Sequence, residues 1–160
     1  MNSLRKKPWN RVDHPVYSIS SMANGKANMN ICTYAIPVSM HPKRYVVAIY
    51  KNTRTLENVQ KNPEFVLQIL AQHHDRLVTL LGKKSGNDID KIKRLKEPVG
   101  QFHTFTFLST CLAIIHLKVI QWMDGGDHLC ALCDVVGYKN LTDNTPLTLG
   151  FLRKKKIIVG

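Results

Sequence analysis

A chain of 160 residues, 44% apolar and 21% charged, has the size and composition of one globular domain rather than of a disordered or fibrous protein. No run approaches the roughly 20 apolar residues that cross a bilayer, and the opening stretch MNSLRKKPWNRVDHPV has no apolar centre of the kind a secretory signal needs, so a soluble cytoplasmic protein is expected. The formal net charge is +12, concentrated in a basic N-terminal arm (about residues 1–14), in residues 83–96 and in a basic C-terminal tail (about 150–160), which excludes an acidic surface and favours anionic partners.

Val16–Ser20 alternates as a short strand, and Asn24-Gly25 is a hairpin turn leading into an extended run from Ala27 to Ala35. Pro37 and Pro42 bracket a loop. Tyr45–Tyr50 is an almost unbroken apolar run rich in β-branched residues, which suits a buried strand. Thr53 or Thr55 caps a short helix through Gln60, with Leu56 and Val59 on one face, and Asn62-Pro63 ends it. Phe65–Leu70 is a further strand. Asp75–Leu81 reads as helix, stopped by Gly82, with His73-His74 exposed at its start. After the Ser85-Gly86-Asn87 turn, Asn87 or Asp88 caps a helix with Ile89, Ile92 and Leu95 inward and its bases outward, ending before Pro98. His103–Leu108, Leu112–Trp122 and Asp127–Tyr138 read as strands, the last two joined through Asp124-Gly125-Gly126, and Ile157–Val159 forms a final short strand. Seven or so strands with clustered helices do not make a Rossmann sheet. A mainly β antiparallel barrel with a few short flanking helices fits best.

The chemistry-bearing residues are few. Cys130 and Cys133 lie three apart on a strand, so their thiols point to opposite faces and no metal is expected there; Cys32 and Cys111 are expected to be structural. There is no P-loop, no Ser-His-Asp grouping and no paired-carboxylate site. Lys51-Asn52-Thr53-Arg54-Thr55 supplies two hydroxyls, an amide and two cations at a helix N-terminus, which is the donor set a phosphate needs; the same residues also make an ordinary capped surface helix. In an unbroken strand Asn28, Asn30, Cys32 and Tyr34 would share one face, with Met29, Ile31, Thr33 and Ala35 on the other.

Three stretches in register resemble the flavin reductase-like family, the FMN-binding split barrels. They are Asn28-Met29-Asn30-Ile31-Cys32-Thr33-Tyr34-Ala35-Ile36-Pro37-Val38-Ser39; Lys51-Asn52-Thr53-Arg54-Thr55 with Asn62-Pro63-Glu64-Phe65-Val66-Leu67; and Gly126-Asp127-His128-Leu129 with Cys133-Asp134-Val135-Val136. Ser85-Gly86 with Asp90-Lys91 is similar to the family's Ser-Gly…Asp-Lys loop. Tyr34 stands where many relatives carry Trp, and Asn30-Ile31 where a Met-Thr pair is common. The resemblance implies an antiparallel Greek-key split β-barrel and a homodimer with FMN at or near the subunit interface. It implies that NADH or NADPH stacks on the ring and passes hydride to flavin N5, the electrons leaving to free flavin, an acceptor protein or oxygen. It places the ring along Asn28 and the backbone of Ile31, Cys32, Thr33 and Tyr34. The phosphate then falls at Lys51, Asn52, Thr53, Arg54 and Thr55, with Lys83 and Ser85 completing the cofactor set. Lys83, Lys84 and Lys91 can serve the phosphates of the nicotinamide. The flavin carries the chemistry, so no protein acid or base is required; His128 is the one side chain considered for a catalytic role. An FMN-binding electron carrier without nicotinamide turnover is the second reading. A basic nucleic-acid-binding module is a third, which no nucleic-acid motif supports.

Overall fold

The structure, a computed structural model, describes residues 5–160; the first four residues of the expected basic arm lie outside the described residues. Strand β1 (Tyr17–Ala23) turns at Asn24-Gly25 into β2 (Lys26–Met29). Both turn residues have positive φ, 50° and 71°, the combination that makes Asn-Gly the favoured two-residue hairpin loop. Strands β3 (Ala35–Met40) and β4 (Lys43–Tyr50) form the next hairpin, followed by helix α1 (Arg54–Lys61) and β5 (Glu64–Ile69). A 3-10 turn (Gln72–Leu77) and one π turn (Thr79–Lys83) lead to the ribbon β6 (Val99–Phe102) and β7 (Phe105–Leu108). The long hairpin β8 (Ala113–Asp124) and β9 (His128–Asn140) precedes helix α2 (Leu149–Lys154).

The fold is mainly β and antiparallel. Seven strands form one sheet in the order β2-β1-β5-β8-β9-β4-β3, and β6-β7 is a separate ribbon. Residues 30–34 join parts of the sheet that are far apart in that order. Cys32 exchanges both backbone hydrogen bonds with Tyr17 of β1 (2.7 and 2.8 Å), and the Tyr34 carbonyl accepts from Ala48 N–H of β4 (2.8 Å). One short segment can reach both strands only if the sheet curls strongly, as twisted sheets do. Strand β5 is buried on both sides, which explains its continuous apolar run. Phe65 and Leu67 pack with Ile19, Val47, Leu56 and Leu117, while Val66 and Leu70 pack with Leu81, Phe105, Leu108 and Leu152. The buried Gln68 between them is satisfied: its Oε1 accepts from Leu108 N–H (2.7 Å) and its Nε2 donates to Ser18 Oγ (3.3 Å). Among the described residues no helix is long and apolar enough to cross a membrane.

Several expectations are corrected. The run Ala27–Ala35 is not one strand: β2 ends at Met29 and the chain bends between β1 and β4, so Asn28, Cys32 and Tyr34 do not share a face. The stretch from Pro37 to Pro42 is not a loop but β3 and its turn. Proline is admitted because β3 is an edge strand, and the register shifts just after Pro37. Asp75–Leu81 is not an α-helix; it is divided between the 3-10 and π turns. Residues 88–97 form successive turns rather than a helix. Ile92 and Leu95 still pack against the core, but the buried Lys91 is drawn inward with them. The strand expected from His103 begins at Phe105, with His103 at positive φ in the β6-β7 turn. Ile157–Val159 is not a strand. The basic tail instead begins as α2, capped by Thr148 and anchored by buried Leu152, a packed element and not a solvated end.

Candidate functional site

The corner between β4 and α1 is built locally. Asn52 adopts a positive φ of 61°, which asparagine tolerates better than other non-glycine residues. Thr53, not Thr55, caps the helix. Its Oγ1 accepts from Leu56 N–H (3.2 Å) and donates to the Tyr50 carbonyl (2.7 Å). Thr55 is buried, and its hydroxyl accepts from Asn28 Nδ2 (3.0 Å), which ties the helix start to the end of β2. Asn58 fixes the next turn of the helix by donating to Ser21 Oγ (3.2 Å) and the Lys26 carbonyl (2.9 Å).

Opposite this corner runs residues 81–86. Gly82 lies against Ile31, where an added Cβ would come within 3.2 Å of Ile31 Cγ1. At Gly86 an added Cβ would collide with Asn28 Oδ1 and meet Arg54 Cβ at 3.1 Å, so close approach requires glycine there. Lys91 is 5% exposed and donates from Nζ to the Leu81 carbonyl (2.8 Å); burial pushes its ammonium down to about 8.

These elements enclose a cleft of about 320 Å³, a size typical of a small-molecule site. One wall is Asn28, Asn30 and Ile31. A second is Tyr50 with Asn52, Thr53, Arg54 and Thr55. The third is Leu81–Gly86, including Lys83, Lys84 and Ser85, with Lys91 behind it. No carboxylate is among these lining residues, whereas hydroxyls, amides and four cations are. This donor set suits an anionic ligand, and the free N–H groups of the α1 start add to it. The residues therefore fit a phosphate-bearing flavin in charge and in hydrogen-bond donors.

The structure brings Asn28, Ile31, Asn52, Thr53, Arg54, Thr55, Lys83 and Ser85 to this one cleft. It places the others elsewhere. Cys32 is buried in the core, and burial pushes its thiol up to about 12. Thr33 does not line the cleft. Tyr34 is 62% exposed and stacks, tilted, on His128 with ring centroids 5.0 Å apart. His128 also meets Tyr50 edge-on (5.1 Å) and is bonded to Asp127, so it approaches the cleft only through Tyr50. Lys51 pairs with Asp124 (2.9 Å) and lines a neighbouring hollow on the far side of Asn52 and Thr53. Sequence patterns did not single out Asn30, Tyr50, Leu81, Gly82 or Gly86 as cleft residues. Gly86, inside the Ser85-Gly86 pair, carried the one usable signal.

A second polar cluster lies away from the cleft. His74, expected to be exposed, is buried. Its Nδ1 accepts from Ala71 N–H (3.0 Å), so the neutral ring carries its proton on Nε2 and donates it to Thr110 Oγ1 (3.0 Å). The Thr110 hydroxyl also hydrogen-bonds with His73 Nε2 (3.0 Å). Glu97 lies near these rings and pairs with Arg76 (2.6 Å). Both nitrogens of His74 are thus committed to hydrogen bonds, and the cluster is structural.

Comparison with known proteins agrees with the geometry. The family model described as "Flavin reductase like domain" matches residues 9–157. The chain is 22% identical over 151 residues to the high molecular weight rubredoxin of Moorella thermoacetica; the match covers 94% of this chain and spans only 66% of that relative's length. Among solved structures, an FMN-binding protein from Thermus thermophilus superposes with a TM-score of 0.75 at 20% identity, over 84% of this chain and 74% of its own. An NADH:FAD oxidoreductase, SgcE6, from Streptomyces globisporus C-1027 superposes with a TM-score of 0.76 at 12% identity, over 86% and 81%. At these identities the structural likeness is one of fold.

Proposed function

The chain belongs to the flavin reductase-like family, and on that premise we propose that it binds FMN in the β4–α1 cleft and serves as an NAD(P)H-dependent flavin reductase. The carrying observation is that cleft: eight residues expected from separate motifs converge on it, and no carboxylate lines it. Bound flavin would supply the hydride and electron-transfer chemistry. The chain's own residues bind and orient. The hydroxyl of Thr55, the amide of Asn52 and the α1 N–H groups receive the phosphate, with Arg54 as its cation, while Thr53, its hydroxyl committed to the Tyr50 carbonyl, holds the corner in shape; Glu57 lies 3.3 Å from Arg54. Lys83 and Ser85 close the opposite side. Of the expected ring segment only Ile31, beside Asn30, lines the cleft and can face the ring; the backbone of Cys32 is committed to Tyr17 and the Tyr34 carbonyl to Ala48. Tyr50, backed by His128 and Tyr34, forms an aromatic flank at the cleft mouth. The test is direct: the purified protein is expected to be yellow or to take up FMN, and to oxidise NADH or NADPH in steady state with FMN present. Colourless protein that takes up no flavin defeats the proposal.

The likeness to a high molecular weight rubredoxin favours one second reading, an FMN-binding electron carrier that is reduced by another protein. A yellow protein without nicotinamide turnover would select it. A cytoplasmic location suits either reading, because all four cysteines are free thiols, as a reducing compartment keeps them.

The homodimer is proposed through β3. This edge strand exposes Ile36 (59%), Val38 (51%) and Met40, an apolar row preceded by exposed Tyr34, with unpaired backbone groups along its outer edge. Light scattering is expected to report twice the chain mass, and Ile36→Lys combined with Val38→Lys is expected to halve it. An unchanged mass for the double variant would move the interface elsewhere.

A further inference from the structure

We infer that Lys91 is the residue that makes the cleft prefer reduced flavin over oxidised flavin, an inference that rests on the reading of the cleft as a flavin site. Lys91 differs from the other cations lining the cleft. Lys83 and Lys84 are exposed, and Arg54 is paired with Glu57. Lys91 is 5% exposed, its one hydrogen bond is to the Leu81 carbonyl, and none of the ion pairs among the described residues includes it. A buried ammonium with no counter-charge is costly unless a ligand supplies one.

Its position along the cleft says which part of the ligand that is. Residues 81–86 cross the cleft from one end to the other. Gly86 packs on Asn28 and Arg54 at the phosphate corner, whereas Gly82 packs on Ile31 at the ring end. The Leu81 carbonyl that holds Lys91 is joined directly to Gly82, so the ammonium belongs to the ring end. Hydride transfer breaks the C–H bond of the dihydronicotinamide and forms an N–H bond at flavin N5. It carries two electrons and one proton, so the donor leaves with one positive charge more and the ring gains one negative charge. The phosphate charge is the same before and after. Cations at Arg54 and the Thr corner therefore hold both redox states alike, and only a cation at the ring end distinguishes them.

The test compares binding of oxidised FMN, reduced FMN and riboflavin to the whole chain, with circular dichroism to confirm folding. The unaltered protein is expected to bind reduced FMN at least about tenfold more tightly than oxidised FMN, equivalent to a midpoint potential about 30 mV above that of free FMN. Lys91→Met is expected to lose most of that difference while holding oxidised FMN within about threefold, and Lys91→Arg to keep it. If Lys91→Met does not fold, Lys91→Gln takes its place, and equal affinity of the unaltered protein for both redox states overturns the inference without any variant. An equal loss for both redox states of FMN with riboflavin unaffected overturns it too, by assigning Lys91 to the phosphate. Unaltered protein that binds no flavin in either state removes the functional reading itself, a separate outcome.

Discussion

Exchanging both Arg54 and Thr55 for alanine should weaken FMN binding by roughly 100-fold to 1,000-fold, since each charge-assisted hydrogen bond to a phosphate contributes about 1.5–3 kcal/mol and a neutral one about 1. Riboflavin, which has no phosphate, should bind the double variant and the unaltered protein to within a few-fold. Two features keep the test clean. The helix retains its cap, because Thr53 and not Thr55 bonds to Leu56 N–H, and Asn58 still anchors α1 to the β1–β2 hairpin. One side effect is expected. Thr55 accepts from buried Asn28, so its loss leaves Asn28 Nδ2 without that partner and should lower stability by about 1–3 kcal/mol. Arg54→Ala alone avoids this and should account for the larger part of the affinity loss. Unchanged FMN dissociation constants, read by flavin fluorescence titration, would remove the phosphate from this corner.

The second large effect concerns acid stability. Burial, with the neighbouring charges of His73 and Arg76, pushes His74 down from 6.5 to about 4 in the folded protein. The unfolded chain takes up this proton near pH 6.5, while the folded chain resists it until about pH 4, where Nδ1 would have to give up Ala71 N–H. Between these values the unfolded state binds more protons, so falling pH favours it. The stability from the neutral ring is complete above pH 6.5, declines through this window and is gone by about pH 4. Its size is on the order of 3 kcal/mol, from about 1.4 kcal/mol per pH unit of displacement, against a typical total of about 5–15 kcal/mol. Asp13 does not obscure the window. Burial alone would raise its carboxyl, but the hydrogen bonds from Gly150, Thr148 and His14 outweigh that and hold it below 3.8. Asp124, held low by Gly126 N–H and Lys51, likewise titrates below the window. Urea midpoints measured between pH 7 and 4 should fall steeply for the native sequence and much less for His74→Gln, which starts less stable but has no proton to take up at that position. Parallel curves for the two proteins would show that another group governs the acid limit.

Much of the strand framework, and the donor-rich corner at the start of α1, is legible in the order of the amino acids. Asn24-Gly25 announces its hairpin because few other pairs accept two positive φ values. FVLQIL announces a strand covered on both faces, and the Thr-Arg-Thr corner announces a helix start rich in donors. These are local properties, written in side-chain shape, polarity and backbone preference within a few residues. The sequence by itself determined that mainly β framework, the place where α1 starts and the donor-rich corner; which of Thr53 and Thr55 caps the helix it left open. Tertiary structure alone decided the break after Met29, the inward turn of Lys91, the burial of His74 and the docking of α2. The break exists because Cys32 must bond to β1 while Tyr34 bonds to β4. Lys91 turns inward because the Leu81 carbonyl, ten residues away, accepts a hydrogen bond from its ammonium. The same charged or polar side chain serves equally well in water, so its local pattern holds no record of the distant partner that draws it inside.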